Sequence, residues 1–295
     1  MSQTVSPSTG RRYGLRRTCQ ALGVPRSTLY AARARAKQAP PRQKRGPKTA
    51  WSDAELTDHI RAVLVRSPFV GEGYRKVWAR LRLAGIRTSK GRVLRLLRTA
   101  GLLAPTRVGQ PHGPKAHDGT IIPERPDAMW GTDATSSLTD EGTATIFVTI
   151  DHYTAECVGV HAARRGTRFE ALEPLRQGVR HYFGSYREEV AAGLTLRHDH
   201  GSQFMSETFQ DELRFLGIAS SPAFVREPEG NGCAERFIRT LKEQLLWVEH
   251  FATVEELRQA LLAFRERYNR EWLIGRHGHR SPAAVRALFA REVAV

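Results

Sequence analysis

Three carboxylates are the residues of this sequence best placed to do chemistry. Asp133 lies in the strand-like run Trp130-Gly-Thr-Asp133. Asp199 ends the short apolar run from Leu194 and is followed by Gly201, and Glu235 stands in the first turns of a predicted helix opened by Asn231-Gly232. Thirty-five residues separate Asp199 from Glu235, and none of the three has an obvious Lys or Arg partner in the sequence. Carboxylates on separate elements are what a divalent-metal site needs, because Mg²⁺ takes hard oxygen ligands, a few carboxylates plus water and substrate phosphate. Two such ions can clamp the attacking and leaving oxygens of an in-line phosphoryl displacement.

With their surrounding words, His198-x-Gly-Ser-Gln203 and Asn231-Gly-x-x-Glu-Arg236, the three residues resemble the DDE triad of retroviral-type integrases and insertion-sequence transposases. Those words look like the IS3-family transposase of the OrfB type, a resemblance that runs from about residue 14 to about residue 289. A lone Asp after a strand means little; three carboxylates in order, each inside its own word, are specific. The resemblance implies Asp133, Asp199 and Glu235 as catalytic metal ligands for two Mg²⁺ ions, with Mn²⁺ as a substitute. It implies 3′-end cleavage followed by strand transfer to another phosphodiester. His198, Gln203 and Asn231 are expected to support the ligands from behind.

The elements that must position this site are preceded by a strongly basic region. The chain carries a net charge of +16, yet residues 1–115 hold 25 Lys+Arg against 4 Asp+Glu, a net +21, while residues 116–295 carry −5. Arg outnumbers Lys 39 to 7, as GC-rich coding would produce, but coding bias does not explain why the charge is segregated. A basic module attached to a mildly acidic one fits a grip on double-stranded DNA joined to a catalytic body.

The N-terminal residues read as helix, Gly-containing turn, helix, with Leu15, Cys19 and Leu22 at helical spacing and Pro25-Arg-Ser-Thr28 opening the second helix. This is the helix-turn-helix pattern, although a plain helical hairpin would look the same. Arg26, Ser27 and Thr28, with Tyr30 nearby, would stand where groove contacts are made. Residues 37–50 form a basic Pro-rich linker. A second helical set follows: Ser52-Asp-Ala-Glu55 matches a capping box, and Ser89 caps a helix with Lys90, Arg92, Arg95 and Arg98 facing outward. The row is either a solvated face or a phosphate contact. Tyr74 and Trp78 read as core. Residues 104–128 are rich in Pro, Gly and His, and His112 and His117, without a Cys pair, read as loop histidines; the His/Cys zinc module of retroviral integrases has no counterpart.

After Pro126 the pattern changes to strands over Met129–Ser136, Ala144–Asp151, Glu156–Ala162, Leu194–Arg197 and Ile218–Ser220, with helices over Phe169–Phe183 and Met205–Leu216. This predicts an α/β layer with a mixed five-stranded sheet, which the resemblance makes an RNase H-like integrase core preceded by an all-α helix-turn-helix region. Asp151 also follows an apolar strand, but the resemblance places it on the second strand and outside the triad. Asn231 or Gly232 is expected as N-cap of the Glu235 helix. On that helix Glu235, Arg239 and Lys242 recur on one face, either as intrahelical pairs or, with Arg236, as a seat for the phosphodiester backbone. A helix over Thr253–Asn269 and a terminal one from Ser281-Pro282 are expected to brace the body or an oligomer contact. The expected division is 1–36, a first helix-turn-helix; 37–50, linker; 51–103, a second; 104–125, linker; 126–248, catalytic core; and 249–295, helical extension.

Three scattered cysteines, no run apolar enough for a membrane helix and no signal-peptide core before Gly10 lead to an expectation of a reducing cytoplasm, which the resemblance makes bacterial and nucleoid-associated. The partners expected are element ends and target DNA, a homo-oligomer on them, and an upstream-frame OrfA-type partner or fusion. Two rivals share parts of the pattern. A catalytically inactive, transposase-derived regulator would need the basic region but not the carboxylates. An RNase H-type metal nuclease would need the carboxylates but not two helix-turn-helix units.

Overall fold

The computed structural model describes residues 3–38, 50–105, 123–223 and 231–293. Most of the 37–50 and 104–125 linkers, and residues 224–230 of the loop before the Glu235 helix, lie outside the described residues, as do His112 and His117. The chain divides into two compact units, Met1–Ala50 and Trp51–Val295.

In the first unit, α1 (Gly14–Ala21) and α2 (Arg26–Gln38) flank a turn in which Gly23 takes a left-handed φ of 62°. Cys19 is buried, as its spacing predicts. Leu22, expected on the same face, is 59% exposed, because α1 ends at Ala21 and the chain turns before Leu22 can follow the helical stripe.

The second unit opens with α3 (Asp53–Arg66), α4 (Tyr74–Leu83) and α5 (Lys90–Thr99). The capping box forms: Glu55 N–H donates to Ser52 Oγ at 3.2 Å and Ser52 N–H donates to Glu55 Oε2 at 2.8 Å. Leu56, Ile60, Val77, Leu81, Val93 and Leu97 make a separate small core. Tyr74 and Trp78 pack against it, and the Trp78 indole N–H donates to the Thr88 carbonyl at 2.8 Å. Leu94, next to buried Val93 on α5, is only half-buried.

The body is a five-stranded sheet in the order β3-β2-β1-β4-β5. Its strands are β1 (Met129–Thr139), β2 (Gly142–Asp151), β3 (Cys157–Ala163), β4 (Thr195–His198) and β5 (Ala219–Pro222). The first three run antiparallel and β4 and β5 run parallel to β1, so the sheet is mixed as expected. β1 runs three residues past the expected Ser136, because the turn at Asp140-Glu141 lets Thr139 pair with Gly142. On one face α6 (Arg168–Tyr182) and α8 (Glu207–Leu216) cover Trp130, Phe147 and Leu196. On the other, α9 (Gly232–Leu241), a π-helical turn (Lys242–Leu246) and α10 (Val254–Glu271) cover Ile146, Val148 and Ile150. A terminal helix, α11 (Pro282–Val293), follows. The helix expected over Met205–Leu216 is α8, which starts at Glu207 with Ser206 Oγ accepting from Phe209 N–H, and a one-turn α7 (Ser202–Met205) precedes it.

Candidate active site

Strand pairing brings the first two carboxylates together. Gly131 on β1 is in register with Arg197 on β4, and Asp133 and Asp199 each lie two residues further along. Asp133 also sits opposite Val148, whose side chain belongs to the core under α9, so Asp133 faces the helix that carries Glu235. Each Asp spends one oxygen locally: Asp133 Oδ1 accepts from Ala134 N–H and Asp199 Oδ1 from Gly201 N–H, both at 2.8 Å. Among the described residues nothing hydrogen-bonds their second oxygens or the Glu235 carboxylate, and no ion pair closes on any of the three.

The electrostatics record the convergence. Burial, and then the negative charges of Asp199 and Glu235, push Asp133 from 3.8 up to about 6, against the Ala134 N–H and Lys242, which pull it down. Burial also raises Glu235, and Arg239 opposes it. Among the described residues no three His, Cys, Asp or Glu side chains are already drawn into a cage around a cation. The donor set nevertheless suits one: oxygen-only ligands, spare lone pairs, and mutual repulsion that a divalent ion would relieve.

The expected supporting residues divide. His198 is buried; its Nδ1–H donates to the Asp199 carbonyl at 2.7 Å and its Nε2 accepts from Ser220 Oγ at 2.9 Å, joining the end of β4 to β5. Burial lowers its pKa, so it is a neutral strut. Gln203 stands over Gly201: a Cβ there would lie 2.5 Å from Gln203 Nε2 and 2.8 Å from Asp199 Oδ1. Asn231 holds the N-cap position of α9, but its side chain does not cap. Instead Nδ2–H donates to the Thr132 carbonyl at 2.9 Å, across 99 residues of sequence. Among the described residues its buried Oδ1 has no hydrogen-bond partner.

Sequence reasoning missed Gly131 and His152. A Cβ at Gly131 would fall 2.4 Å from Asn231 Oδ1 and 2.5 Å from His152 Nε2, so only glycine lets both side chains approach β1 here. A glycine inside an otherwise good strand was the available signal. Asp151 is fully buried and accepts from Thr154 N–H, Thr154 Oγ–H and Asp127 N–H, so it anchors a turn.

The basic residues proposed for DNA are placed unequally. Arg236 and Arg239 are exposed on α9 and Lys242 opens the π-helical turn. Arg26, Ser27 and Thr28 are exposed on the first turn of α2, with Arg26 over the Tyr30 ring at 6.0 Å. Arg92 and Arg95 instead share Asp53, each at 2.7 Å, and Arg92 also donates to the Trp51 carbonyl at 2.8 Å. Lys90 rests on the Trp78 ring at 4.5 Å. The expected outward row is thus partly a set of ties between α5 and the start of α3.

Two integrase core domain models match residues 123–228 and 216–282, and an HTH-like domain model matches residues 51–109. The chain thus contains an integrase core domain preceded by an HTH-like domain. Its catalytic core is that of a polynucleotidyl transferase. It is 26% identical over 289 residues to the transposase for insertion sequence element IS629 of Shigella sonnei, covering 95% of this chain and 94% of that one. It is 27% identical over 250 residues to transposase InsD for insertion element IS2A/D/F/H/I/K of Escherichia coli, covering 79% and 81%. An Escherichia coli IS2A 48.2 kDa protein is 25% identical; the match takes in 94% of this chain and 65% of that protein. The catalytic core domain of BIV integrase shares 18% identity with it, over 57% of this chain and 99% of that domain, at a TM-score of 0.41. Among the described residues no helix is long and apolar enough to cross a membrane.

Proposed function

We propose that this chain is the DNA transposase of an insertion sequence of the IS3 type, and that Asp133, Asp199 and Glu235 are its catalytic carboxylates. The observation that carries the reading is that Asp199, at the end of β4, and Glu235, on α9, are brought close enough to Asp133 on β1 for both of their charges to act on it. Asp133, Asp199 and Glu235 would hold two Mg²⁺ ions, with Mn²⁺ able to take their place; bound there, such ions supply the charge that activates the attacking oxygen and stabilises the leaving one.

The protein's own groups prepare that chemistry. Gly201 N–H and His198 fix the rotamer and the backbone of Asp199. Asn231 ties the start of α9 to β1, and so holds Glu235 toward Asp133. Arg239 and Lys242, whose charges already act on Glu235 and Asp133, would meet the phosphodiester backbone. In the first step water attacks the phosphorus at the element end and the P–O3′ bond breaks, freeing a 3′-OH. In the second, that 3′-OH attacks a target phosphorus and displaces the target's own 3′ oxygen. No protein nucleophile is required.

The DNA partners would be the terminal repeats and a target, gripped through exposed Arg26, Ser27 and Thr28 and through the basic residues of α5. Joining two ends calls for at least two protomers, and an upstream-frame OrfA-type segment would complete the assembly. The protein would work beside the nucleoid in the bacterial cytoplasm. The test is a labelled duplex copied from the DNA flanking the coding sequence, incubated with Mg²⁺ or with EDTA. Metal-dependent joined products support the reading. Specific binding without cleavage would point to a regulator, and cutting of any duplex without joining would point to a nuclease.

A further inference from the structure

The loop from Ser67 to Gly73, which joins α3 to α4, reaches into the catalytic body. Phe69 is only 3% exposed and belongs to the same apolar cluster as α9, the π-helical turn and α10. Its ring meets Trp272 edge-on at 4.9 Å. The next residue, Val70, has both main-chain polar groups taken by one side chain: Val70 N–H donates to Gln244 Oε1 at 2.9 Å, and Gln244 Nε2–H donates to the Val70 carbonyl at 3.0 Å. Arg80 of α4 adds a third point, donating to the Glu271 carbonyl at 3.5 Å while held by buried Glu72 at 2.9 Å.

Gln244 lies in the π-helical turn Lys242–Leu246, which continues directly from the helix of Glu235. Such turns are rare and concentrate at functional sites. Lys242, its first residue, already acts on Asp133. An apolar plug alone is non-directional and would let the two parts slide. The paired amide-to-peptide hydrogen bonds remove that freedom, because both must be made at once and in one register. Helices α4 and α5 therefore sit at one distance from the carboxylates, rather than on a tether.

We propose that Phe69 and Gln244 determine which phosphodiester is cut, by fixing the helical segment Asp53–Thr99 to the helix that carries Glu235. They are positioning residues that act through α9 and the π-helical turn. The inference rests on the strand-transfer reading above. It is tested by mapping cleavage at single-nucleotide resolution on a labelled duplex copied from the DNA flanking the coding sequence, with full-length wild type, Gln244→Ala and Phe69→Leu/Gln244→Ala. Gln244 is half-exposed and Phe69→Leu stays apolar, so both variants are expected to fold, as circular dichroism would verify. Wild type should cut one position. In the variants the fraction of cuts at neighbouring phosphodiesters should rise about tenfold, as loss of one or two ordinary hydrogen bonds implies. Folded variants that cut only the wild-type position, even at lower yield, would overturn the inference. A wild type that neither cuts nor joins overturns the strand-transfer reading, and this inference with it.

Discussion

The Asn231 side chain donates to the main-chain carbonyl of Thr132 at 2.9 Å, tying the first turn of the Glu235 helix to the residue just before Asp133. One hydrogen bond thus sets the separation of two of the three carboxylates. Asn231→Ala would leave a strand carbonyl buried without this donor. The expected cost is about 1–3 kcal/mol, read as a lower midpoint in urea unfolding. Strand transfer should fall as well, because Glu235 loses its tether.

The approach of Asp199 to its own loop depends on Gly201. A methyl group there would come within 2.5 Å of Gln203 Nε2 and 2.8 Å of Asp199 Oδ1, so one of them must move. Gly201 has an ordinary φ of −54°, so the substitution strains no backbone. Gly201→Ala should therefore keep its thermal midpoint within a few degrees while losing on the order of tenfold to a hundredfold in strand-transfer rate, as misplacement of a catalytic group by about 1 Å does. Equal losses of rate and stability would contradict this.

Asp133 makes the site sensitive to pH. Burial and the charges of Asp199 and Glu235 lift it from 3.8 to about 6, so folding favours its protonated form. Its contribution to stability is full below 3.8 and is lost as pH rises through about 6. In EDTA, the melting difference between wild type and Asp133→Asn should change across that window, with wild type losing ground as pH rises. Metal-dependent strand transfer should fall on the acid side, as Asp133 takes up a proton and ceases to be a ligand. A pH–rate profile that is flat between pH 5 and 7 would count against this assignment.

The terminal helix is held by charge. Arg286 on α11 donates to Asp127 at 2.6 Å and also pairs with buried Glu156, while its guanidinium lies 4.1 Å from the centre of the Tyr182 ring. Asp127 in turn accepts from the Trp130 indole N–H at 3.0 Å, at the head of the strand that carries Asp133. Arg286→Ala leaves two carboxylates without their counterion and should cost about 3–5 kcal/mol, measured by denaturant unfolding. Arg286→Lys, which keeps the charge but not the fork, should recover part of it.

The candidate catalytic words stand out in the sequence because each is local. His198 to Gln203 and Asn231 to Arg236 combine turn-forming and acidic residues within six positions, and the alternation around Asp133 marks its strand. What links those words is tertiary and left little trace. Asn231 reads as an N-cap, yet its bond goes to a strand 99 residues away. Arg92 and Arg95 read as outward phosphate contacts, yet Asp53 draws them back across 39 and 42 residues. Nothing near Phe69 and Val70 in the sequence announces Gln244, 174 residues beyond Val70. Gly131 alone carried a signal, a glycine in a strand, and its meaning became clear only with Asn231 and His152 beside it.

The central claim is that Asp133, Asp199 and Glu235 form one metal-dependent strand-transfer site, and Asp199→Asn tests it most directly. Asp199 is exposed, so the amide should leave the fold intact, and Asn keeps an oxygen for the Gly201 N–H while losing the charge. With labelled element-end duplex and Mg²⁺, the variant should bind DNA as wild type does and form no joined product. Joined product at the wild-type rate would contradict the account.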